Sequence, residues 1–369
     1  MIPVFKRRGF FRYFAIGNTF LEGNKNICTM KTIGKFITLI ILVAIVILGY
    51  LAGTSNTTFN GAKKYLYIRP GGAQPEVQIM DQLKTGKIID NVKVFTFLAG
   101  KMHAFDNLTV GRITVPQKTS VYGLIKLLKA NKQDSVPFTI KRFRTREALA
   151  GFLGSRLMTD SAATYSYLSN NDSLRQFGVD TFTLNTLLIP GTYNLKWEYT
   201  TGQVLSIFKK AKDQFWSQNN RAARAAALGF TPDEASSLAA IVEDETLKDS
   251  EKDTIASVYI NRLRANMPLG ADPTIKYALK NFELKRILNQ DLKVNSPYNT
   301  YLNKGLPPGP ICTPDSITIE AVLNAPKTDY LYFVAKADFS GYHNFSHDYT
   351  THLQLAKQYH DALDKKKIK

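Results

Sequence analysis

Three hydrophobic patterns follow one another along the chain: an unbroken apolar run, then short alternating runs, then long helical stripes. The unbroken run covers residues 36–53 and carries no charge, and no charged residue follows it until Lys63. Its length lies within the roughly 17–25 residues that a helix needs to cross a bilayer. The run therefore predicts a transmembrane helix. A cleaved signal peptide is the alternative, because the small residues of Leu51-Ala-Gly53 are compatible with a cleavage site.

The charges beside this run predict its orientation. One acid, Glu22, precedes the run, and the other flank is uncharged from Thr54 to Ala62. The basic residues before the run are Lys6, Arg7, Arg8, Arg12, Lys25, Lys31 and Lys35. The positive-inside rule then predicts a single-pass protein of the inner (cytoplasmic) membrane, with residues 1–35 in the cytoplasm and everything after the run on the extracytoplasmic side. Met30 leaves a second translation start open.

Short alternating runs predict a small α+β module over residues 54–140. Its strands are predicted at residues 64–69, 93–97 and 111–115, where β-branched and aromatic residues are frequent. Its clearest helix is residues 120–129, because the apolar positions 121, 124, 125 and 128 share one face. Residues 141–230 are predicted to form a connecting α+β subdomain. It follows a strand that begins at Val136 and contains helices from Glu147 and from Thr201.

The strongest helical signal lies at residues 231–247, the start of a predicted catalytic domain over residues 231–369. Thr231 suits the N-cap, Pro232 suits the first helical position, and Glu234 completes a capping box. Further along, Leu238, Ile241 and Val242 form an apolar stripe with helical spacing. These signals predict one buried helix with a well-defined beginning.

Glu245 continues that apolar stripe, which is an unusual place for a carboxyl group. Desolvation on such a face disfavours the charged form and raises the pKa, so Glu245 is predicted to be a proton donor. Its neighbours Glu243 and Asp244 are predicted to face solvent from the same helix. The alternative for Glu245 is a helix-end carboxylate that reaches water or caps a neighbouring group.

The loops after this helix are rich in proline and glycine. Ser250 is predicted to cap a second helix, in which Ile255, Val258, Tyr259 and Leu263 form the buried stripe. Turns are predicted at residues 269–275 and 296–301, and a rigid loop at residues 305–311. Stiff loops fix the direction of polar side chains, which is what a groove for an extended polymer requires.

The charge and cysteine content of the chain limit the partners and cofactors that it can be expected to bind. The net charge of +18 favours acidic partners: anionic lipids, nucleic acid or an acidic wall polymer. Nucleic acid is excluded by the predicted compartment, and the basic run of residues 141–146 is interpreted as a solvated face. Cys28 and Cys312 are predicted on opposite sides of the membrane, so no disulfide is expected. No metal or other cofactor is predicted, although His343, His347 and His352 are closely spaced.

Several motifs together resemble the endolytic murein transglycosylases, the MltG or YceG-like family. They are Ile241-Val-Glu-Asp-Glu-Thr246, Ser250-Glu-Lys-Asp253, Ile255-Ala-Ser-Val-Tyr-Ile-Asn-Arg-Leu263, Asp272-Pro-Thr274, Tyr298-Asn-Thr-Tyr301, Gly305-Leu-Pro-Pro-Gly309 and Tyr330-Leu-Tyr-Phe-Val334. Residues 54–140 are similar to a LysM-like region, while Gly191 departs from the family pattern at the Pro190–Tyr193 turn. The resemblance implies an α+β protein with a single transmembrane helix, a LysM-like module and a mixed α/β catalytic domain.

The resemblance also implies an activity and a site. The family cleaves the MurNAc–GlcNAc bond of nascent peptidoglycan strands, leaves a 1,6-anhydro-MurNAc end, terminates strand elongation and works with peptidoglycan synthases. Glu245, which Thr246 follows, matches the catalytic glutamate. The residues expected to bind the glycan are Asn299, Tyr298, Tyr301, Asp272, Thr274, Glu243 and His343.

Two other functions are compatible with the same residues. A membrane-tethered peptidoglycan-binding scaffold would need no catalytic acid, and so no desolvated Glu245. A wall hydrolase would need a second carboxylate such as Asp272 beside Glu245. Product chemistry separates the three, because the transglycosylase leaves anhydro ends, the hydrolase leaves reducing ends and the scaffold leaves no new ends.

Overall fold

The structure is a computed structural model that describes residues 17–54, 56–284 and 286–365, with side chains from Ile33 onward. The chain divides into two compact units, residues 1–133 and residues 134–369. Helices and short antiparallel strand pairs occur in both units, so the fold is mixed helix and strand.

The first unit begins with a long helix, α1 (Gly17–Gly53). One stretch of the described chain, Ile33–Gly53, is long and apolar enough to cross a membrane, and it contains the predicted residues 36–53. Its large apolar side chains are exposed rather than packed on protein, among them Val46 at 70%. A helix that is apolar and unburied has the properties of a segment surrounded by lipid.

Two strands and three helices form the rest of the first unit. The strands β1 (Lys63–Ile68) and β2 (Gly111–Pro116) pair antiparallel, with Leu66 opposite Ile113. The helices are α2 (Pro75–Thr85), α3 (Val92–Lys101) and α4 (Val121–Ala130). Ser120 caps α4 by accepting a hydrogen bond from the Gly123 amide, and the four predicted apolar positions of α4 are all buried. The prediction for this helix is therefore confirmed.

The predicted strand at residues 93–97 is wrong, because these residues lie inside α3. The stretch is rich in β-branched and aromatic residues, yet burial falls on Phe95 and Ala99, four residues apart. Phe97 remains 55% exposed. The helical spacing of Phe95 and Ala99 therefore outweighs the local β-propensity.

The second unit is larger and mainly helical. Its strands are β3 (Ser135–Ile140) paired with β4 (Gly191–Lys196), and β5 (Tyr332–Ala335) paired with β6 (His343–Ser346), both antiparallel. Its helices are α5 (Arg146–Gly154), α6 (Ser161–Leu168), α7 (Asn171–Arg175), α8 (Thr201–Ser217), α9 (Arg221–Leu228), α10 (Pro232–Glu245), α11 (Lys252–Arg264), α12 (Asp272–Ala278), α13 (Ser316–Leu323) and α14 (Tyr349–Lys365). The division at residues 133/134 precedes β3, and both β3 and its partner β4 belong to the second unit, whereas the predicted domain bounds stay a prediction.

Helix α10 lies at the centre of the second unit. The predicted capping box is present: Thr231 Oγ1 accepts from the Glu234 amide, and the Glu234 carboxylate accepts from the Thr231 amide. Every residue from Ala235 to Val242 is buried. Helices α9, α11, α12 and α13 all contact α10, and its small residues allow that close approach. The carboxyl end of a helix whose middle is fully buried thus carries the three acids 243–245.

Two local predictions after α10 are wrong. Ser250 does not cap α11, because a 3₁₀ turn (Asp249–Glu251) precedes the helix and no side chain caps it. The turn predicted at residues 269–275 contains the start of α12, with Asp272 and Pro273 in its first turn. Proline suits the first turn of a helix, since its missing N–H has no helical partner there.

Candidate active site

Glu245 is the last residue of α10, and its carboxyl is held by a tyrosine. The Tyr259 hydroxyl, from the buried face of α11, donates a hydrogen bond of 2.6 Å to Glu245 Oε1. Tyr259 is 1% exposed, and its ring packs edge-on against Phe333. The position of this hydroxyl is therefore fixed by the core, and it fixes the carboxyl in turn.

Burial raises the pKa of the Glu245 carboxyl from 4.5 to about 7, and the negative charge of Asp272 acts in the same direction. The hydrogen bond from Tyr259 and the positive charges of Arg262 and Lys276 lower the pKa, but they do not outweigh burial. The prediction that desolvation raises this pKa is confirmed. A carboxyl with a pKa near 7 holds a proton for donation near neutral pH and can take one back afterwards.

The two neighbouring acids are not solvated, so that prediction is wrong. Glu243 pairs with the buried Lys252 at 3.2 Å and accepts a hydrogen bond from Thr318. Asp244, whose side chain is 11% exposed, pairs with Arg142 and, at 3.3 Å, with Arg144. Each of these two carboxylates therefore has a cationic partner inside the fold.

A cleft of about 360 Å³ opens beside the end of α10. Its wall includes Glu243, Asp244, Glu245, Asp272 and Lys276 together with Arg142, Arg144, Phe282 and the exposed Leu247. A cleft of this size is large enough for part of a carbohydrate chain. The acid with the raised pKa therefore lies at a surface that a substrate can reach.

The two arginines enter the cleft from the segment after β3. Arg142 and Arg144 flank Phe143, whose amide and carbonyl bond with Thr313 and whose ring contacts Phe152 at 5.2 Å. In an extended segment, alternate side chains point to the same side. Because Phe143 is anchored on one side, Arg142 and Arg144 both point to the other, toward Asp244. Both arginines remain partly exposed, but their pairing with Asp244 gives them a role that a solvated face does not include.

Helix α12 brings Asp272 to the same cleft. The Tyr301 hydroxyl donates a hydrogen bond of 2.5 Å to Asp272 Oδ1. Thr274 is fully buried below Asp272, and its hydroxyl bonds with the Ala271 carbonyl at 2.7 Å and with Thr300 at 2.8 Å. Tyr301 and Thr274 thus hold Asp272 in place, and Thr274 does so from inside the protein.

Asn299 is fully buried in the loop that carries Tyr298 and Tyr301. Its side-chain amide donates to the carbonyls of Leu292 at 2.9 Å and Val294 at 2.8 Å, and its oxygen accepts from the Tyr301 amide at 3.0 Å. Both amide hydrogens are therefore occupied by main-chain partners. These contacts are those of a residue that shapes the loop, whereas a direct contact with a sugar stays a prediction.

Tyr298 lines a second cavity of about 330 Å³, which shares Arg144 and Phe282 with the cleft. The Tyr298 ring contacts the Tyr277 ring with centroids 4.5 Å apart, and burial raises the pKa of the Tyr298 hydroxyl. The structure therefore brings Glu243, Glu245 and Asp272 to one cleft and Tyr298 to the cavity beside it.

His343 lies in β6 and does not line either cavity. Its amide donates to Glu251 at 2.9 Å, and its Nδ1 lies 3.0 Å from Glu251 Oε2. His347 lies 3.3 Å from Asp348, and the His352 ring stacks on Tyr332. These histidines have separate partners, and no cluster of three metal-ligating side chains occurs among the described residues.

Sequence reasoning missed five residues of the cleft or its support: Tyr259, Arg142, Arg144, Lys276 and Phe282. The sequence pattern places Tyr259 in the apolar stripe of α11, although a hydroxyl on a buried face needs a partner. The arginines looked like an ordinary basic run, and only the fold brings them to Asp244. Lys276 and Phe282 carried no sequence signal.

The site defines a class: a cleft for general acid–base chemistry centred on one carboxyl of raised pKa, with a second carboxylate beside it. The sequence profile of the YceG-like family matches residues 67–358. The chain therefore belongs to the YceG-like family.

Similar proteins support this assignment. An endolytic murein transglycosylase of Bacillus subtilis (strain 168) is 46% identical over 101 residues, covering 27% of this chain and 28% of that protein. One from Streptococcus pneumoniae serotype 2 is 27% identical over 306 residues, covering 74% of this chain and 55% of that protein. The chain thus spans about half the length of the Streptococcus relative, and its match to the Bacillus relative covers 28% of that protein. The crystal structure of a yceG-like protein from Listeria monocytogenes, 25% identical, matches 80% of this chain and 99% of its own, with a TM-score of 0.52.

Proposed function

We propose that this protein is a membrane-anchored endolytic murein transglycosylase that cleaves the MurNAc–GlcNAc bond of nascent peptidoglycan strands. The observation that carries the proposal is Glu245: a cleft carboxyl with a pKa of about 7, oriented by a buried tyrosine. Relatives named endolytic murein transglycosylases support the choice of substrate.

The proposed reaction needs one acid that acts twice. Protonated Glu245 donates its proton to the glycosidic oxygen, and the bond between that oxygen and C1 of the muramyl sugar breaks. The Glu245 carboxylate then accepts the proton of the sugar's own 6-hydroxyl as O6 bonds to C1, which closes a 1,6-anhydro ring. Water is not consumed, and Glu245 returns to its protonated form.

Asp272 is proposed to support this acid electrostatically. Its negative charge raises the pKa of Glu245, so it helps to keep the proton in place before cleavage. A hydrolase would instead use Asp272 to activate water or to attack the sugar. The hydrogen bond from Tyr301 already occupies one oxygen of Asp272, Oδ1. The nature of the new ends decides between these two reactions.

The apolar helix and the module after it are proposed to hold the catalytic cleft close to the cell wall. The apolar helix serves as a single-pass anchor in the inner membrane, with the catalytic unit on the extracytoplasmic side. The module after it is proposed to be LysM-like and to contact the glycan. A site at the membrane meets strands as they are made, so peptidoglycan synthases are the expected partners and strand termination the expected result.

Glu245→Gln tests the proposal. The amide still accepts from Tyr259 but has no proton to give, so we expect a folded protein whose strand cleavage falls roughly 10²–10⁴-fold or more. Cleavage is measured on purified glycan strands, with mass spectrometry of the new ends, and folding by thermal unfolding.

Glu243→Gln is the matched control, since it makes the same change two residues away. We expect it to lower stability, because Lys252 loses a partner, while cleavage per folded molecule falls far less than for Glu245→Gln. Reducing ends in place of anhydro ends would show a hydrolase. Undiminished binding without any cleavage by the wild type would show a scaffold.

A further inference from the structure

The second cavity, next to the catalytic cleft, has walls of a different character. Aromatic rings of Phe182, Tyr277, Phe282 and Tyr298 form much of its surface. Its charged residues are three bases, Arg144, Arg146 and Lys280, and one acid, Glu147. An aromatic cavity with an excess of positive charge fits an anionic ligand that also has apolar groups.

Arg146 is the group in this cavity whose charge has no structural explanation. It is the first residue of α5, where the positive end of the helix dipole repels a cation. Within the described residues Arg146 forms no ion pair, whereas Arg144 pairs with Asp244, and Lys280 lies 3.9 Å from Glu147. An unpaired cation at a helix N-terminus is locally unfavourable, so its presence at the wall of a cavity indicates a functional role.

Two tyrosines, Tyr277 and Tyr298, line the same cavity as Arg146. Its positive charge lowers the pKa of both Tyr277 and Tyr298, although burial raises each more strongly, so both phenols stay protonated and can donate. A guanidinium in a cavity lined by neutral phenol groups is a suitable receptor for a carboxylate.

We propose that this second cavity binds the peptide attached to the muramyl sugar, with Arg146 pairing with a peptide carboxylate. This inference rests on the proposed function. A glycan backbone of N-acetylated sugars carries no charge that would need Arg146, whereas wall peptides carry several carboxylates. Because the cavity and the cleft share Arg144 and Phe282, a peptide in the cavity can be attached to a sugar in the cleft.

The test compares peptide-bearing strands with the same strands after enzymatic removal of their peptides. For Arg146→Gln we expect kcat/KM on peptide-bearing strands to fall roughly 10- to 100-fold, mainly through KM, since a hydrogen bond to a charged group is lost. Peptide-free strands should be cleaved as the wild type cleaves them. Arg146→Lys keeps the positive charge but cannot form the bidentate hydrogen bonds of a guanidinium. Its kcat/KM on peptide-bearing strands should therefore lie between those of Arg146→Gln and the wild type.

Arg264→Gln is the matched control, because Arg264 is exposed in the last turn of α11, outside both cavities. It should change cleavage of neither substrate. A loss for Arg146→Gln that is equal on both substrates, or no loss on either, would overturn the proposal.

A binding measurement separates this proposal from the proposed function. N-acetylmuramyl-L-alanyl-D-glutamate and the same compound with both carboxyls amidated are titrated into Glu245→Gln protein by calorimetry. We expect tighter binding of the acid form, and loss of that preference in the Glu245→Gln, Arg146→Gln double variant. Equal affinity for the two compounds would refute the peptide site, even if strand cleavage is established. A preference for the acid form would support the site, even if no strand is cleaved.

Discussion

The hydrogen bond between Tyr259 and Glu245 influences the acid in two ways. It orients the carboxyl, and it lowers the pKa of Glu245 by stabilising the charged form. Burial acts in the opposite direction and is the larger effect, which leaves the pKa at about 7. Tyr259 is therefore a positioning residue that also sets the pH range in which Glu245 can donate its proton.

Replacing Tyr259 with Phe should move the pH dependence of cleavage upward. Protonated Glu245 is the active form, so wild-type activity is present below the pKa and is lost as pH rises through about 7. Without the tyrosine hydroxyl the pKa of Glu245 rises further, so the loss should begin at higher pH. The maximal rate should also fall, because the carboxyl is less well oriented. Initial rates on glycan strands between pH 5 and 9 provide the measurement.

Tyr330→Phe is the control for this substitution, because the Tyr330 ring stacks on Phe345 outside the cleft. It should leave both the rate and the pH profile unchanged. A Tyr259→Phe profile with lower rates but the wild-type midpoint would show that Tyr259 supports the fold without tuning the acid.

At the residue scale the sequence predicted the acid but few of its neighbours. Glu245 was found because a charged residue on an apolar helical stripe is a local anomaly that spacing reveals. Tyr259 and Arg144 reach the site only through the packing of α11 and through the anchoring of Phe143. Such contacts join residues far apart in the chain, and no local pattern contains them.

Among the elements, α12 and the loop of residues 296–303 behave as one structure. The Gly270 amide donates to the Thr300 carbonyl at 3.0 Å, and the Ala271 amide donates to Thr300 Oγ1 at 3.0 Å. Asn299 fixes the same loop from within. The loop in turn places Tyr301 on Asp272 and Tyr298 in the second cavity.

Asn299→Ala should consequently act through stability. The substitution leaves the carbonyls of Leu292 and Val294 without their buried donor, which we expect to cost about 2–4 kcal/mol. The melting temperature should fall markedly, and cleavage should fall with the folded fraction. Thermal unfolding and strand cleavage are measured on the same sample. A strong loss of cleavage with an unchanged melting temperature would instead show that Asn299 contacts the sugar directly.

Asn303→Ala is the control, because Asn303 forms similar hydrogen bonds at a solvent-exposed position. The Asn303 amide also donates to two carbonyls, those of Ser296 at 2.9 Å and Asn299 at 3.0 Å, but the residue is exposed. Water can replace these bonds, so the melting temperature should change much less than for Asn299→Ala.

Prediction of the elements succeeded where end signals agreed with spacing. Helices α4 and α10 have a capping side chain and a stripe of helical period, and both begin where the sequence predicted. Helix α3 has no side-chain cap, and its sequence wrongly predicts a strand. The sequence predicts a turn at residues 296–301, but the hydrogen bonds of this loop to the start of α12 depend on a fold that the sequence pattern does not contain.

For the whole molecule, the two compact units correspond to two tasks in the proposed function. The first contains the apolar helix and its own core of strands β1 and β2 with helices α2 to α4. The second contains both cavities and the acid. The apolar helix was predictable because its composition alone identifies it, whereas the division near residue 133 follows from strand pairing between β3 and β4, which are far apart in sequence.

Orientation in the membrane is the prediction that decides whether the second unit can reach the wall at all. Alkaline phosphatase is active only outside the cytoplasm, so a fusion after residue 60 should be active. Green fluorescent protein fused at the same point should be dark, because it is exported in unfolded form. Removing residues 1–29 should not change this result, because Lys31 and Lys35 remain before the span and no acid opposes them. Washed membranes should retain the full-length fusion. A bright cytoplasmic fusion would place the catalytic unit on the wrong side for peptidoglycan, and release of a shorter soluble species would show a cleaved signal peptide in place of an anchor.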